Sequence, residues 1–211
     1  MKVVLFDMDG TLIDSQHDIT ASINYVRKEH YALEALESTF VVEAINRYQR
    51  NLPKLFYGTQ DYEPSARELF EAHYYDQCIQ SPRLYDGIAE LLEQLQQSDV
   101  ALSVATNAPS MFAVRMLEHL NIAHYFDHIV GADMVVKPKP DGAMLNYALE
   151  RLAFDAQCDH AWMVGDNSKD MEAAHNVNIT SIFATWGFSS HGEGDHVIAQ
   201  PQQLLDIVKI P

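Results

Sequence analysis

The chain has 211 residues, a length that suits one core domain with an insertion better than two complete domains. Acidic residues outnumber basic ones by 30 to 14, and the resulting formal charge of −16 opposes non-specific binding to nucleic acid or to anionic membranes. Because the sequence shows neither a leader-like N-terminus nor an apolar run of about eighteen residues, we expect a cytoplasmic protein that does not bind membranes.

The first predicted element is a buried strand that ends in a pair of carboxylates. Val3 to Phe6 form a short apolar run of β-prone residues, which is typical of a central parallel strand. Asp7 and Asp9 follow it directly, and Gly10 permits a sharp change of chain direction. Since ligands of open α/β sheets gather at the carboxyl ends of the strands, we expect an active site here. The acidic lining suggests a bound cation.

Residues 16–82 interrupt this pattern, because they show helical periodicity and no convincing strand. Amphipathic faces are marked by Ile19, Ile23 and Val26, by Val41, Ala44, Ile45 and Tyr48, and by Leu69, Phe70 and His73. The segments 15–18 and 65–68 each have the form of a capping box, which opens a helix. We therefore predict an α-helical cap over residues 16–82, inserted into a core formed by residues 1–15 and 83–211.

From residue 84 onward, short apolar runs alternate with helical stretches. The predicted strands are Val3 to Phe6, Ala101 to Ala105, His128 to Gly131, Ala161 to Val164, Thr180 to Ala184 and His196 to Ala199. The predicted helices of this part are Gly87 to Gln97, Pro109 to Leu120, Gly142 to Ala153, Ser168 to His175 and Gln202 to Val208. This rhythm indicates an α/β fold with a doubly wound, Rossmann-like parallel sheet.

Polar groups follow other predicted strands of this sheet. The hydroxyl of Thr106 and the amide of Asn107 are suited to binding phosphate oxygens or a developing oxyanion. In the segment 137–140, lysines alternate with prolines, which stiffen the backbone and restrict the positions of at least one ammonium group. Asp166 and Asp170 follow a glycine turn, and their spacing suits one face of a helix. Hard divalent cations such as Mg²⁺ prefer such oxygen ligands.

Together these residues closely resemble the haloacid dehalogenase superfamily. Its four ordered motifs are matched by Asp7 to Thr11, by Thr106 and Asn107, by Lys137, and by Gly165 to Asp170. The helical insertion resembles the type-one cap of this superfamily, and the phosphoglycolate phosphatase-like branch is the nearest resemblance. The likeness covers the whole core. It implies a hydrolase that transfers a phosphoryl group to an aspartate and then to water.

The resemblance also implies roles for individual residues. Asp7 is expected to be the nucleophile, and Asp9 is expected to protonate the leaving oxygen and later to activate water. Thr106 and Lys137 are expected to bind the transferred group. Lys137 is chosen over Lys139 because the motif lysine of the superfamily precedes the first proline.

A Mg²⁺ site is part of the same implication. The cation is expected to bind the carboxylates of Asp7 and Asp166 and the backbone carbonyl of Asp9. Supporting roles fall to Gly10, Thr11 and Asp170, and the last of these is expected to orient Lys137. Trp186 and Gly187, by contrast, are interpreted as packing residues of a turn after a strand.

The expected function is that of a Mg²⁺-dependent phosphatase acting on a small phosphorylated metabolite. The acidic residue at position 9 favours phosphate esters, because dehalogenases and phosphonate-cleaving members normally lack it. Two alternatives remain open at this point: a phosphomutase of the β-phosphoglucomutase type, and a non-catalytic protein that binds a phosphorylated metabolite. The sequence selects neither a substrate nor an oligomeric state.

Overall fold

A computed structural model describes residues 1–47 and 50–209, so Tyr48 of the second predicted cap face lies outside the described residues. The strands are β1 (Lys2–Phe6), β2 (Ile13–Asp14), β3 (Arg83–Leu84), β4 (Ala101–Ala105), β5 (His128–Val130), β6 (His160–Gly165), β7 (Thr180–Ala184) and β8 (His196–Ile198). The helices are α1 (Gln16–Glu29), α2 (Ser38–Asn46), α3 (Leu52–Tyr57), α4 (Pro64–Gln77), α5 (Ile88–Gln97), α6 (Ser110–His119), α7 (Ala143–Arg151), α8 (Ser168–Asn176) and α9 (Gln203–Val208). Short 3-10 turns cover Ala123–Tyr125 and Ala132–Met134.

Six of these strands form one parallel sheet in the order β5-β4-β1-β6-β7-β8. The chain runs outward from β1 through β4 to β5, then crosses to the other side of β1 and continues through β6 to β8. The predicted α/β fold with a doubly wound sheet is thereby confirmed. The reversal of strand order lies beside β1, and ligands of such sheets bind at this point.

The core forms because the central strand is buried on both faces. Val3 and Leu5 pack in one cluster with Met144 and Leu145 of α7, since alternate residues of a strand share a face. Val4 and Phe6 point the other way and are also fully buried. Along the described chain, no helix combines the length and the apolarity needed to cross a bilayer.

The chain divides into two compact units, one of residues 1–14 and 84–211 and the other of residues 15–83. The smaller unit is helical, and its own apolar cluster joins the four helices α1 to α4 that its described residues form. That cluster includes Val26 of α1, Val41 of α2, Phe56 of α3 and Ala66 of α4. The short strands β2 and β3 pair with each other where the chain leaves and re-enters the larger unit. This pairing was not predicted, since two residues leave no periodic pattern.

Neither predicted capping box is formed. Ser15 precedes α1, but its side chain makes no capping hydrogen bond. Helix α4 begins at Pro64, one residue before Ser65, because proline has no N–H to lose at the first helical position. A capping box does open α8. There the side chain of Asn167 accepts from the amide of Lys169 at 3.1 Å, and Asp170 accepts from the amide of Asn167 at 3.1 Å.

Candidate active site

Three buried carboxylates meet at the carboxyl end of the sheet. Oxygens of Asp7, Asp166 and Asp170 all lie within 4.8 Å of one another. Asp7 and Asp166 follow the neighbouring strands β1 and β6. Phe6 of β1 lies opposite Val164 of β6. The spacing of Asp166 and Asp170 had suggested that they share one face of a helix. Asp166 lies before α8, which begins at Ser168. The sharp turn at Asn167 brings the two together instead.

The ammonium group in this cluster belongs to Lys139. Its Nζ donates to Oδ1 of Asp7 at 2.7 Å and to Oδ1 of Asp170 at 2.6 Å, and its side chain is 2% exposed. The side chain of Lys137 is 73% exposed, and its Nζ lies 4.0 Å from Oδ2 of Asp141. The placement of Lys137 beside the acids was therefore wrong. The chain is still at the surface at Lys137 and turns inward only after Pro138.

Burial and like charges shift the pKa values of this cluster. Burial lowers the pKa of the Lys139 ammonium, but the attraction of Asp170 and Asp7 outweighs it and leaves the group protonated. Burial raises the pKa of Asp170 to about 7 against the pull of Lys139. Burial, then Asp7 and Asp170, also raise the pKa of Asp166 well above its ordinary value. A further positive charge would relieve this repulsion.

The cluster fits a Mg²⁺ ion by its donor chemistry. Three closely spaced carboxylates offer hard oxygen ligands, and burial together with the negative charges of Asp7 and Asp170 disfavours the ionised form of Asp166 when no cation is bound. The carboxylate of Asp9 is not part of this group. Asp9 is only partly buried, in the turn that follows β1.

Thr106 and Asn107 both follow β4, but their side chains make different contacts. The buried hydroxyl oxygen of Thr106 accepts from the amide of Ala108 at 3.1 Å, so its proton remains available to a ligand. Both ends of the Asn107 amide are bonded to the backbone of Lys139. Its Nδ2 donates to the carbonyl at 2.9 Å, and its Oδ1 accepts from the N–H at 2.9 Å. The sequence suggested that the Asn107 side chain binds phosphate, but in the structure it is bonded to the backbone of Lys139.

Gly10 and Thr11 shape the loop under Asp166. Gly10 has φ of +89°, and a Cβ there would lie 2.5 Å from Oδ2 of Asp166. Only glycine accommodates both the left-handed backbone and this approach. The hydroxyl of Thr11 lies 3.5 Å from Oδ1 of Asp166, at the limit of a hydrogen bond. Both predicted supporting residues are therefore next to the acidic cluster.

The segment after β7 contains contacts that the sequence analysis missed. The indole N–H of Trp186 donates to the carbonyl of Thr11 at 3.0 Å. The backbone amides of Phe188 and Ser189 donate to Oδ2 of Asp166 at 2.7 and 3.3 Å. A Cβ at Gly187 would lie 1.8 Å from the carbonyl oxygen of Gly10. These residues hold Asp166 and contact the loop at Gly10 and Thr11. In the sequence, the pair Trp-Gly was the only signal for them.

Comparison with known proteins relates the whole chain to phosphatases. It is 30% identical over 230 residues to a phosphoglycolate phosphatase of Vibrio parahaemolyticus, with 100% of this chain and 97% of the relative covered. It is 28% identical over 218 residues to an N-acetylmuramic acid 6-phosphate phosphatase of Pseudomonas aeruginosa, with 99% and 95% covered.

Solved structures agree with this relationship. A predicted phosphatase from Clostridium acetobutylicum is 27% identical, with a TM-score of 0.80 and 99% of this chain and 98% of that chain covered. A predicted phosphoglycolate phosphatase from Haemophilus somnus has a TM-score of 0.84 at 24% identity over 98% and 97% of the chains, and it supports the fold. The model of the haloacid dehalogenase-like hydrolases matches residues 4–184. The chain therefore belongs to the haloacid dehalogenase-like hydrolase family, as its motifs predicted.

Proposed function

We propose that the protein is a Mg²⁺-dependent phosphatase that hydrolyses a small phosphorylated metabolite through an aspartyl-phosphate intermediate. Its family and its phosphatase relatives support the phosphatase class expected from the sequence. The observation that carries the proposal is the contact between Lys139 and Asp7. In this contact a buried ammonium lies 2.7 Å from a carboxylate at the end of the central strand. Transfer of a phosphoryl group requires both a nucleophile and a positive charge at one place.

Asp7 is the proposed nucleophile. One of its oxygens forms a bond to phosphorus while the bond between phosphorus and the leaving oxygen breaks. Asp9 gives its proton to that oxygen and later takes a proton from the water that attacks the aspartyl phosphate. The second displacement breaks the bond to Asp7 and releases phosphate. Dividing the hydrolysis into two displacements is the usual gain from a covalent nucleophile.

Lys139 and Thr106 are the proposed ligands of the transferred group. The Lys139 ammonium neutralises charge on its oxygens, and Asp170 fixes the position of that ammonium through a 2.6 Å contact. The Thr106 hydroxyl has a proton to donate, since its oxygen already accepts from Ala108. Preorganised donors of this kind typically contribute about 10²- to 10³-fold each to the rate.

Mg²⁺ is the proposed cofactor. The carboxylates of Asp7 and Asp166 would hold it, together with the backbone carbonyl of Asp9. When bound, a divalent cation of this kind neutralises charge on the phosphoryl oxygens and helps to align them for displacement. The protein's own part is to keep Asp166 oriented, which the amides of Phe188 and Ser189 do at its Oδ2.

The test is phosphate release from a panel of phosphorylated metabolites in the presence of Mg²⁺. The panel includes phosphoglycolate, N-acetylmuramic acid 6-phosphate, sugar phosphates, nucleotides and pyrophosphate. We expect release by the wild type, none by Asp7→Asn, and wild-type release by Asp206→Asn, the same change at an exposed position of α9. An isomerised sugar phosphate without phosphate release would indicate a phosphomutase. Ligand binding with no turnover would indicate a non-catalytic protein.

A further inference from the structure

The side chain of Asn107 ties the end of a sheet strand to the segment that carries Lys139. Asn107 lies one residue after Thr106. The backbone N–H of Thr106 donates to the carbonyl of Val130 at 2.9 Å and so extends the pairing of β4 with β5 by one bond. From there the side-chain amide of Asn107 reaches the backbone of Lys139 twice, at 2.9 Å in each direction. One donor and one acceptor of the side chain are thereby engaged with a single residue.

The segment around Lys139 depends on such an anchor. Prolines at positions 138 and 140 flank the lysine and restrict the backbone, but neither has an N–H to donate. The N–H of Lys139 is therefore the one amide donor between them, and Asn107 accepts from it. A lysine side chain has several rotatable bonds, so its ammonium is placed well only if its backbone is held. Asn107 supplies that constraint at the residue itself.

We propose that Asn107 is a positioning residue, which fixes the backbone of Lys139 and through it the distance between the ammonium and Asp7. This inference rests on the proposed function, because it assumes that the ammonium acts on the transferred group. It replaces the role of phosphate ligand that the sequence suggested for the Asn107 side chain. The asparagine acts on the reaction only through Lys139.

A double-mutant cycle tests this dependence. We expect Asn107→Ala to lower kcat by about tenfold to a hundredfold, the usual effect of misplacing a reacting group by about 1 Å, with less than about a twofold change in KM. In a Lys139→Met background, Asn107→Ala is expected to have less than about a twofold further effect. Losses that multiply would overturn the proposal, and so would a raised KM at unchanged kcat, which marks a substrate ligand.

The chain offers a matched control. Nδ2 of Asn176 donates to the carbonyl of Pro140 at 2.9 Å, one residue beyond Lys139. Asn176→Ala removes a bond of the same length to this segment but leaves both bonds between Asn107 and the Lys139 backbone in place, so we expect wild-type kcat and KM. Asn107→Gln keeps both amide groups one methylene farther out. We expect it to fold like the wild type and to have a kcat between that of the wild type and that of Asn107→Ala.

A second measurement does not depend on turnover. Trinitrobenzenesulfonate modifies accessible amines, and mass spectrometry locates the modified lysines. Lys139 is buried between two carboxylates, so we expect slow modification in the wild type and in Asn176→Ala, and faster modification in Asn107→Ala. Equal protection of Lys139 in all three proteins would overturn the positioning role, even with phosphatase activity present. If the wild type releases no phosphate, the proposed function fails, and the modification rates still test whether Asn107 holds Lys139.

Discussion

The ammonium of Lys139 lies 2.7 Å from Oδ1 of Asp7, while the side chain of Lys137 is mostly in solvent. The two lysines share one short segment and the same flanking proline, so they form a natural pair for comparison. We expect Lys139→Met to lower kcat by about 10²-fold or more, since it removes a preorganised charge. Lys137→Met is expected to leave kcat within about twofold of the wild type. Steady-state phosphate release measures both, and the reverse ranking would refute the site.

Asp9 and Asp166 are expected to separate catalysis from metal binding. Asp9→Asn removes a proton donor and acceptor, so we expect turnover to fall by about 10²- to 10⁴-fold. Its Mg²⁺ affinity should remain close to that of the wild type, because the proposed ligand at this position is the backbone carbonyl. Asp166→Ala should lose Mg²⁺ affinity. Titration calorimetry with MgCl₂ measures the affinity, and equal losses in both variants would contradict this division of roles.

Gly187 is expected to be essential because of the space it leaves. A Cβ there would lie 1.8 Å from the carbonyl oxygen of Gly10 and 2.7 Å from Oδ2 of Asp166. We therefore expect Gly187→Ala to weaken Mg²⁺ binding and to abolish most phosphate release. The control is Gly58→Ala, where a Cβ meets nothing within 4 Å but φ is +77°. It should cost about 1 kcal/mol of unfolding free energy and leave Mg²⁺ affinity unchanged. Wild-type Mg²⁺ affinity in Gly187→Ala would refute the steric argument.

Asp195 is expected to make stability depend on pH. Its Oδ2 accepts from the backbone N–H of Ser181 at 2.9 Å and from the hydroxyl at 2.8 Å. These bonds, the backbone one first, hold the pKa of Asp195 below its ordinary value. A carboxyl with a lowered folded-state pKa stabilises the protein above its unfolded-state pKa, and this contribution is lost as pH falls through the folded-state pKa.

Asp195→Asn tests this linkage. We expect it to lower the unfolding free energy by about 1 kcal/mol near pH 7, because half of the side chain is exposed and water offsets part of the loss. The difference should shrink as the pH falls below the ordinary aspartate pKa of about 4 and through the lower folded-state pKa. Urea unfolding at several pH values measures it, with Glu193→Gln as a nearby change of the same charge. A pH-independent difference would show that the charge of Asp195 is not the cause.

The fold was predictable because each core strand is a short apolar run between helical stretches. Ala101–Ala105 and Thr180–Ala184 have the observed boundaries, and a polar threonine follows each run. Helix α7 was predicted three residues too long, one at its start and two at its end, since the observed helix covers only Ala143–Arg151. Local pattern fixes such elements, and it leaves only their ends uncertain.

The residues of the candidate site were predictable only where the local sequence did not offer two residues of the same type for one role. Asp7, Asp166 and Asp170 come together as the order of motifs implied. The choice between Lys137 and Lys139 failed because local sequence offers two equivalent lysines, and the contact with Asn107 that fixes one of them spans 32 positions. Trp186 was assigned to packing for the same reason, since its indole bond to Thr11 spans 175 positions. Long-range contacts of this kind leave no periodic trace.

The central position of β1 also has a consequence for the order of folding. Val3 pairs with Ala101 on one side and with Ala161 on the other, so β1 needs partners that are synthesised much later than β1 itself. The helical unit of residues 15–83 has its own apolar cluster and depends on contacts closer in sequence, which form faster. We therefore expect the insertion to fold on the ribosome while β1 is still unpaired. The proposed nucleophile, Asp7, is then one of the last residues to reach its final surroundings during folding.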